Sequence, residues 1–106
     1  MRMKYHPYKT PEDRLLAGDV RRCAIYSGEL TESFYAIVIS VAPDSVLVRR
    51  LFKDSEGTSR YLIRDVGPTG LEYAMFVDSR DTMLPVGKVG RKIGKASKTD
   101  MRNIRL

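Results

Sequence analysis

The side chains in this sequence that could do chemistry are cations and hydroxyls rather than metal ligands. The chain has one cysteine and one histidine. It therefore lacks a zinc-type cluster, and it shows no acidic constellation for a divalent metal, no P-loop and no dinucleotide fingerprint. This inventory suits RNA cleavage by attack of the 2′-hydroxyl on the adjacent phosphate, because the protein then needs only a cation and proton-transfer groups, with no cofactor. The candidates for these catalytic roles are Arg49, Arg50, Thr58 and Arg60.

Two of these candidates, Arg49 and Arg50, end a predicted strand. Because adjacent strand residues point to opposite faces, only one of the two can face a given groove. Both could instead lie on a solvated sheet face and pair with Asp54 or Glu56. The sequence leaves both interpretations open.

The positive charge is concentrated at the carboxyl end of the chain. The net charge is +6, yet residues 1–86 carry equal numbers of basic and acidic side chains, whereas residues 87–106 carry seven basic residues against Asp100. This asymmetry is typical of a protein with a polyanionic partner, either a nucleic acid or an acidic protein, although a solvated tail has the same composition. The residues expected to bind nucleic acid in this region are Lys88, Arg91, Lys92 and Lys95.

Two apolar runs, 35–41 and 45–52, form the predicted centre of the fold. Pro43 and Asp44 lie between them and favour a turn, so the runs predict an antiparallel hairpin. The first run is apolar at nearly every position, which predicts a central strand covered on both faces. Other strands are predicted at 18–26, 60–66, 71–78 and 83–86. Their spacing predicts a mainly β fold, a small barrel of about five or six antiparallel strands.

The segments between these strands carry weaker signals. Residues 27–33 are polar and predict a loop, and residues 67–70 predict a turn. Residues 87–95 interleave glycines with basic side chains, which predicts an open, turn-rich stretch. Cys23 lies beside apolar residues in the first strand and is expected to be a buried, inert thiol.

Helices are predicted at the two ends of the chain. Ser97 and Asp100 have the spacing of a capping box and predict a C-terminal helix, with Met101 and Ile104 on one face. A short N-terminal helix is predicted at 10–18. The predicted domain organisation is an N-terminal arm with a short helix at 1–17, followed by a β-barrel domain at 18–106.

The expected location is the cytoplasm. A single cysteine suits a reducing compartment. No apolar run approaches the ~20 residues that span a bilayer, and the N-terminus has no apolar segment of a secretory signal. We therefore expect no membrane partner.

Several short motifs follow one another along residues 18–106. They are Gly18-Asp19-Val20, Val38-Ile39-Ser40, Gly70-Leu71-Glu72, Phe76-Val77-Asp78, Met83-Leu84, Lys92-Ile93-Gly94-Lys95-Ala96-Ser97 and Asp100-Met101. Together they resemble the PemK/MazF toxins. The resemblance implies an SH3-like β-barrel with a C-terminal helix, a homodimer, metal-independent cleavage of single-stranded RNA, and neutralisation by a partner antitoxin. A gyrase poison, CcdB, shares this fold, so a CcdB-like inhibitor of a protein target is a further possibility.

The chain departs from that family at its catalytic positions. Phe34 and Tyr35 stand where the family has an Arg-Pro pair with a catalytic arginine, and Phe52 stands where it has a catalytic Thr or Ser. Either the catalytic groups have moved to the arginines, Thr58 and Tyr35, or the chain keeps the fold and lacks the reaction. In the second case it binds nucleic acid or an acidic protein partner. Tyr35 could stack on an unpaired base or lie in the core.

Overall fold

A computed structural model describes residues 14–54 and 61–105 of the chain. The strands in these residues are β1 (Asp19–Ser27), β2 (Leu30–Val41), β3 (Ser45–Phe52), β4 (Tyr61–Leu62), β5 (Phe76–Val77), β6 (Thr82–Pro85) and β7 (Val89–Lys95). The helices are α1 (Val66–Thr69) and α2 (Lys98–Ile104), and Val86–Lys88 forms a 3₁₀ turn.

The β2–β3 hairpin lies at the centre of one antiparallel sheet. The hydrogen-bonded order is β4-β5-β3-β2-β1-β7, and β6 also pairs with β3. Across the hairpin turn, the Ala42 N–H donates to the Ser45 carbonyl at 2.9 Å. The predicted hairpin and the mainly β fold class are confirmed. β4 and β7 end the order, so the described strands do not close into a hydrogen-bonded barrel.

Hydrophobic cores cover both faces of β2. Ile37 belongs to one core, the Ile37 core, which also takes Ile104 from α2. Ala36 and Val38 belong to the other, the Val38 core, which takes Leu84 from β6. Alternate residues of a strand point to opposite faces. The nearly continuous apolar run therefore fills two cores at once, as predicted.

The predicted open stretch at 87–95 was wrong, because most of it is β7, which pairs with β1. The two glycines of β7 lie where another part of the backbone comes too close for a side chain. A Cβ at Gly90 would lie 2.5 Å from the Arg22 carbonyl oxygen, and one at Gly94 would lie 2.2 Å from the Thr69 carbonyl carbon. Glycine inside a strand often marks such a close approach.

The predicted loop at 27–33 was also wrong. β1 and β2 continue to a tight turn at Gly28, where φ is +63°, a left-handed conformation that favours glycine. Ser27 pairs with Leu30 at the end of this ribbon. The pairing of β2 with β3 begins at Ala36, and the pairing of β1 with β7 reaches Cys23, opposite Phe34. Among the described residues, the ribbon from Ser33 to the turn therefore has two strands.

The strands predicted at 60–66 and 71–78 are shorter than expected, and α1 occupies the predicted turn between them. A buried carboxylate explains part of this. The backbone N–H groups of Arg64 and Asp65 donate to Asp100 rather than to a neighbouring strand. Once a side chain satisfies these donors, the chain can leave the sheet without burying unpaired backbone groups.

The C-terminal helix is confirmed with its predicted cap. Ser97 Oγ accepts a hydrogen bond from the Asp100 N–H at 3.0 Å. Ile104 is buried in the Ile37 core, and Met101 packs against the same core. The capping box and the three-residue spacing were therefore sufficient to place this element.

The N-terminal predictions lie largely outside the described residues. Of the helix predicted at 10–18, the structure describes residues 14–18, which form a bend and a turn. The division into an arm at 1–17 and a domain at 18–106 stays a prediction. No helix in the described part of the chain is long and apolar enough to cross a membrane.

Candidate nucleic-acid interface

The two predicted catalytic residues that the structure describes lie on different faces of the sheet. Thr58 and Arg60 lie outside the described residues. Arg49 and Arg50 are described, and their contacts lie on opposite faces of the sheet, as the strand alternation requires. Within residues 14–54 and 61–105, no group of three or more His, Cys, Asp or Glu side chains could hold a metal ion.

Arg49 is tied to the end of α2. Its Nη1 donates to the Ile104 carbonyl at 2.8 Å, and its Nε donates to Asp81 Oδ1 at 2.8 Å. The last carbonyls of a helix have no partner within the helix, so a guanidinium in this position stabilises the C-terminus. Arg49 therefore has a structural role in holding α2 on the sheet.

Arg50 is held between two aromatic rings. Its guanidinium carbon lies 4.1 Å from the centroid of the Phe34 ring and 5.5 Å from that of Phe52. Its Nη2 donates to Glu32 Oε2 at 2.8 Å, and its buried Nε has no hydrogen-bond partner among the described residues. Phe34 and Phe52 thus contact the same cation. The Glu32 carboxylate is well exposed, and its oxygen sits where an oxygen of a phosphate could bind.

A basic and aromatic surface lies on the other face of the β1–β2 ribbon. We define the basic–aromatic face as Arg22, Tyr35, Lys88 and Arg91 with the two depressions that they line. The larger depression, of about 380 Å³, is lined by Arg22, Lys88 and Arg91. The smaller one, of about 310 Å³, is lined by Tyr35 and Arg91. The Arg22 guanidinium carbon lies 5.7 Å from the Tyr35 ring centroid, so the two depressions adjoin at this pair.

Sheet register brings these residues together from three places in the sequence. Arg22 on β1 is directly opposite Tyr35 on β2. β7 pairs with the other edge of β1, and this pairing brings Arg91 to the same surface. Sequence reasoning missed Arg22 as a binding residue. Strand alternation alone places Arg22 on the face away from Cys23, but its pairing with Tyr35 needed the register.

Lys92 and Lys95 do not line either depression. Lys92 Nζ lies 3.4 Å from Oδ1 of the fully buried Asp19, at ion-pair rather than hydrogen-bond geometry. Asp19 also forms an ion pair with the buried Arg21 at 3.0 Å. Lys95 is exposed and lies beside Gly18. Of the four predicted nucleic-acid-binding cations, Lys88 and Arg91 therefore lie on the basic–aromatic face, Lys92 pairs with Asp19, and Lys95 belongs to neither group.

Asp100, the acidic residue of α2, accepts hydrogen bonds from Tyr61 and from the backbone of Arg64 and Asp65. Burial raises the pKa of its carboxyl, but hydrogen bonds from the Tyr61 hydroxyl, the Asp65 and Arg64 N–H groups and Ser97 lower it more, so the pKa lies below its ordinary value. The pKa of Tyr61 is raised, first by desolvation and then by its hydrogen bond to Asp100. This network fastens α2 to the segment after β4.

Cys23 is buried, as predicted. Burial raises the pKa of its thiol, and this outweighs a hydrogen bond with the Gly90 backbone and the charge of Arg21. The protonated form therefore dominates at neutral pH, and such a thiol is a poor nucleophile.

Comparison with solved structures identifies the fold. An endoribonuclease in complex with its cognate antitoxin, from a mycobacterial species, matches with a TM-score of 0.64 and 18% sequence identity. The match covers 86% of this chain and 85% of that chain. The chain has the fold of an antitoxin-bound endoribonuclease. No model of a known protein family matches the sequence, and no curated protein matches it.

Proposed function

We propose that this chain is a toxin-like endoribonuclease of a toxin–antitoxin pair, which cleaves single-stranded RNA without a metal ion and acts in the cytoplasm as a homodimer. The basic–aromatic face carries the proposal, because it joins cations to a half-buried aromatic ring that lines one of two adjoining depressions. The shared fold supports it, since the matched protein is an endoribonuclease bound to its antitoxin. The PemK/MazF assignment remains part of this proposal.

The basic–aromatic face has the composition that single-stranded nucleic acids need. Arg22, Lys88 and Arg91 supply positive charge for the phosphates. Tyr35 supplies a ring on which an unpaired base can stack, and such stacking tolerates any base. A duplex would hide its bases from this ring, so we propose a single-stranded substrate.

Arg50 is the described residue that we place at the scissile phosphate. An RNA phosphate would displace the exposed Glu32 carboxylate from the guanidinium, which would then stabilise the negative charge of the transition state. An RNA strand bound to the basic–aromatic face would reach Arg50 by crossing the edge of β2 at residues 30–34. This edge has no β3 partner among the described residues.

A second candidate function is binding without cleavage. Arg49 already caps α2, and Arg50 already pairs with Glu32 between two rings. These contacts favour structural roles for both cations. In that case the chain would bind RNA, or an acidic protein partner, through the basic–aromatic face alone.

An RNA-cleavage assay in EDTA separates the two functions. We expect the wild-type protein at micromolar concentration to cut a long RNA of mixed sequence and to leave a 2′-deoxy strand intact, because the 2′-hydroxyl is the nucleophile. Binding of this RNA without any cleavage would reject the enzyme and favour the second candidate.

The role of Arg50 is tested by Arg50→Ala with Glu32→Gln as its matched control. If Arg50 contacts the phosphate, Arg50→Ala should lower the cleavage rate by about 10²-fold or more, whereas Glu32→Gln should preserve or raise it. If the Arg50–Glu32 pair instead has a structural role, both variants should lower the cleavage rate by the same factor, because each breaks the same ion pair. Equal losses of cleavage rate in the two variants would therefore remove Arg50 from the proposed site.

The partners are tested separately from the chemistry. Expression of the chain should arrest growth of a bacterial host, and co-expression of a neighbouring gene product should relieve the arrest. Sedimentation equilibrium should give twice the 12.0 kDa mass of the chain if it is a homodimer. A monomer mass at micromolar concentration would contradict that part of the proposal.

A further inference from the structure

The smaller depression has the features of a base-reading pocket. We propose that it binds one guanine of single-stranded RNA and that Glu72 recognises the Watson–Crick edge of that base. This inference rests on the proposed function for its RNA, but it assigns a separate task, base selection, to residues away from Arg50.

The walls of the depression are aromatic and apolar. Tyr35 and Tyr73 both line it, together with Leu71, Met75 and Ile93. Tyr73 is 45% exposed although it is a large aromatic residue. Rings at an open depression offer stacking surfaces to an unpaired base. Its volume of about 310 Å³ is at the lower end of the ~300–1,000 Å³ range of ligand pockets, which suits one nucleotide.

Gly70 sets the wall of the pocket in place. It ends α1 in the left-handed region, with φ at +78°. A Cβ at this position would lie 2.0 Å from the Ile93 carbonyl oxygen. The segment that carries Glu72 and Tyr73 therefore starts from a backbone packed directly on β7. This contact fixes the segment beside Arg91.

The charged groups that line the pocket are one carboxylate and one guanidinium. Glu72 and Arg91 line the same depression, yet neither forms an ion pair or a side-chain hydrogen bond with the described residues. Both are exposed and available to a ligand. Arg91 also lines the larger depression, so it can bind a phosphate next to the base.

The carboxylate selects the base. An ionised Glu accepts hydrogen bonds and donates none. Guanine presents two adjacent donors on its Watson–Crick edge, N1–H and N2–H₂, which match the two carboxylate oxygens. Adenine, cytosine and uracil each place an acceptor beside their donor. The geometry of a bidentate contact therefore favours guanine.

Binding of uncleavable oligonucleotides tests this assignment without relying on catalysis. The probes are 2′-deoxy-substituted hexamers of uridine that carry one central guanine, adenine, cytosine or inosine, titrated by fluorescence anisotropy. We expect the guanine hexamer to bind about tenfold more tightly than the others. Inosine lacks the N2 amino group and should lose most of this preference.

Glu72→Gln supplies the protein-side test, with Glu29→Gln at the exposed β1–β2 turn as its matched control. Glu72→Gln should bind all the hexamers alike, because a carboxamide presents one acceptor and one donor. Glu29→Gln should keep the guanine preference. A titration with 5′-GMP should show weaker binding than the guanine hexamer, since a free nucleotide lacks the flanking phosphates.

Each contrary result has a distinct meaning. Equal binding of all hexamers by the wild type, or a guanine preference that Glu72→Gln keeps, overturns the base-reading inference and leaves RNA binding intact. Equal affinity for 5′-GMP and the guanine hexamer overturns the assignment to RNA in favour of a free nucleotide. Failure to bind any hexamer overturns both this inference and the proposed RNA site.

Discussion

Single residues on β3 show how one strand serves two faces. Arg49 fastens α2, and its neighbour Arg50 contacts Phe34 and Phe52 on the other side of the sheet. A cation enclosed by aromatic rings is stabilised by their negative faces. Arg50 contacts both of the rings that this side of the sheet offers at Phe34 and Phe52. This arrangement is the physical basis for testing Arg50 first.

Asp100 should govern part of the acid sensitivity of the fold. Because its pKa is lowered in the folded state, its contribution to the free energy of unfolding is present above the unfolded pKa of about 3.9 and is lost as the pH falls through the lower folded pKa. Asp100→Asn should lower the stability by about 2 kcal/mol at neutral pH, since buried donors lose a charged acceptor. Chemical denaturation between pH 2.5 and 7 measures both effects.

The matched control for Asp100 is Asp44→Asn, at the exposed turn of the β2–β3 hairpin. It should leave the stability within about 0.5 kcal/mol of wild type. We expect the stability of Asp100→Asn to depend less steeply on pH below about 4 than that of wild type. Parallel pH profiles for wild type and Asp100→Asn would contradict the assigned network.

At the scale of elements, β7 depends on glycines for its place in the sheet. Gly94 faces the Thr69 backbone at the end of α1, where an added Cβ would lie 2.2 Å from the carbonyl carbon. Backbone atoms cannot move aside as a flexible side chain can. The contact between α1 and β7, which also positions the proposed base pocket, is therefore closed to any larger residue at this position.

Gly94→Ala should destabilise the protein by about 2 kcal/mol or more, because the strand must shift away from α1. The matched control is Gly87→Ala, since a Cβ at Gly87 would meet no heavy atom of the described residues within 4 Å. Thermal unfolding of both variants checks the prediction. A Gly94→Ala variant as stable as Gly87→Ala would show that β7 and α1 do not pack as closely as described.

At the scale of the whole molecule, the cations of the carboxyl end lie in different environments. Lys88 and Arg91 belong to the basic–aromatic face, whereas Lys92 compensates the buried Asp19. Substitution of Lys92 should therefore lower the stability of the protein, because the buried carboxylate of Asp19 would have one cation fewer to compensate its charge. Variants made to test RNA binding should therefore retain Lys92.

The salt dependence of RNA binding should depend on the cations of the basic–aromatic face. Lys88→Ala with Arg91→Ala should reduce the magnitude of the slope of log affinity against log salt by about 1.4, at about 0.7 for each lost phosphate contact. Lys98→Ala with Arg102→Ala, on the exposed side of α2, is the matched control and should leave the slope unchanged. Equal reductions in both double variants would place the RNA on a diffuse positive surface.

Local rules determined much of this fold. The apolar run of β2 and the Pro43-Asp44 turn specified the central hairpin, because strand alternation and turn preferences act over a few residues. Ser97 and its spacing to Asp100 specified the start of α2 in the same way. The charge surplus at the carboxyl end was likewise a property of the sequence by itself.

The tertiary structure alone decided which residues meet. Glycines at 90 and 94 indicated an open segment, yet close backbone contacts made them part of a strand. Arg22 and Tyr35 became neighbours through register, and Arg91 joined them through pairing between strands far apart in sequence. Such contacts depend on long-range packing, which no local pattern encodes. The sequence therefore determined the elements and the charge, and the packing of distant strands decided the candidate site.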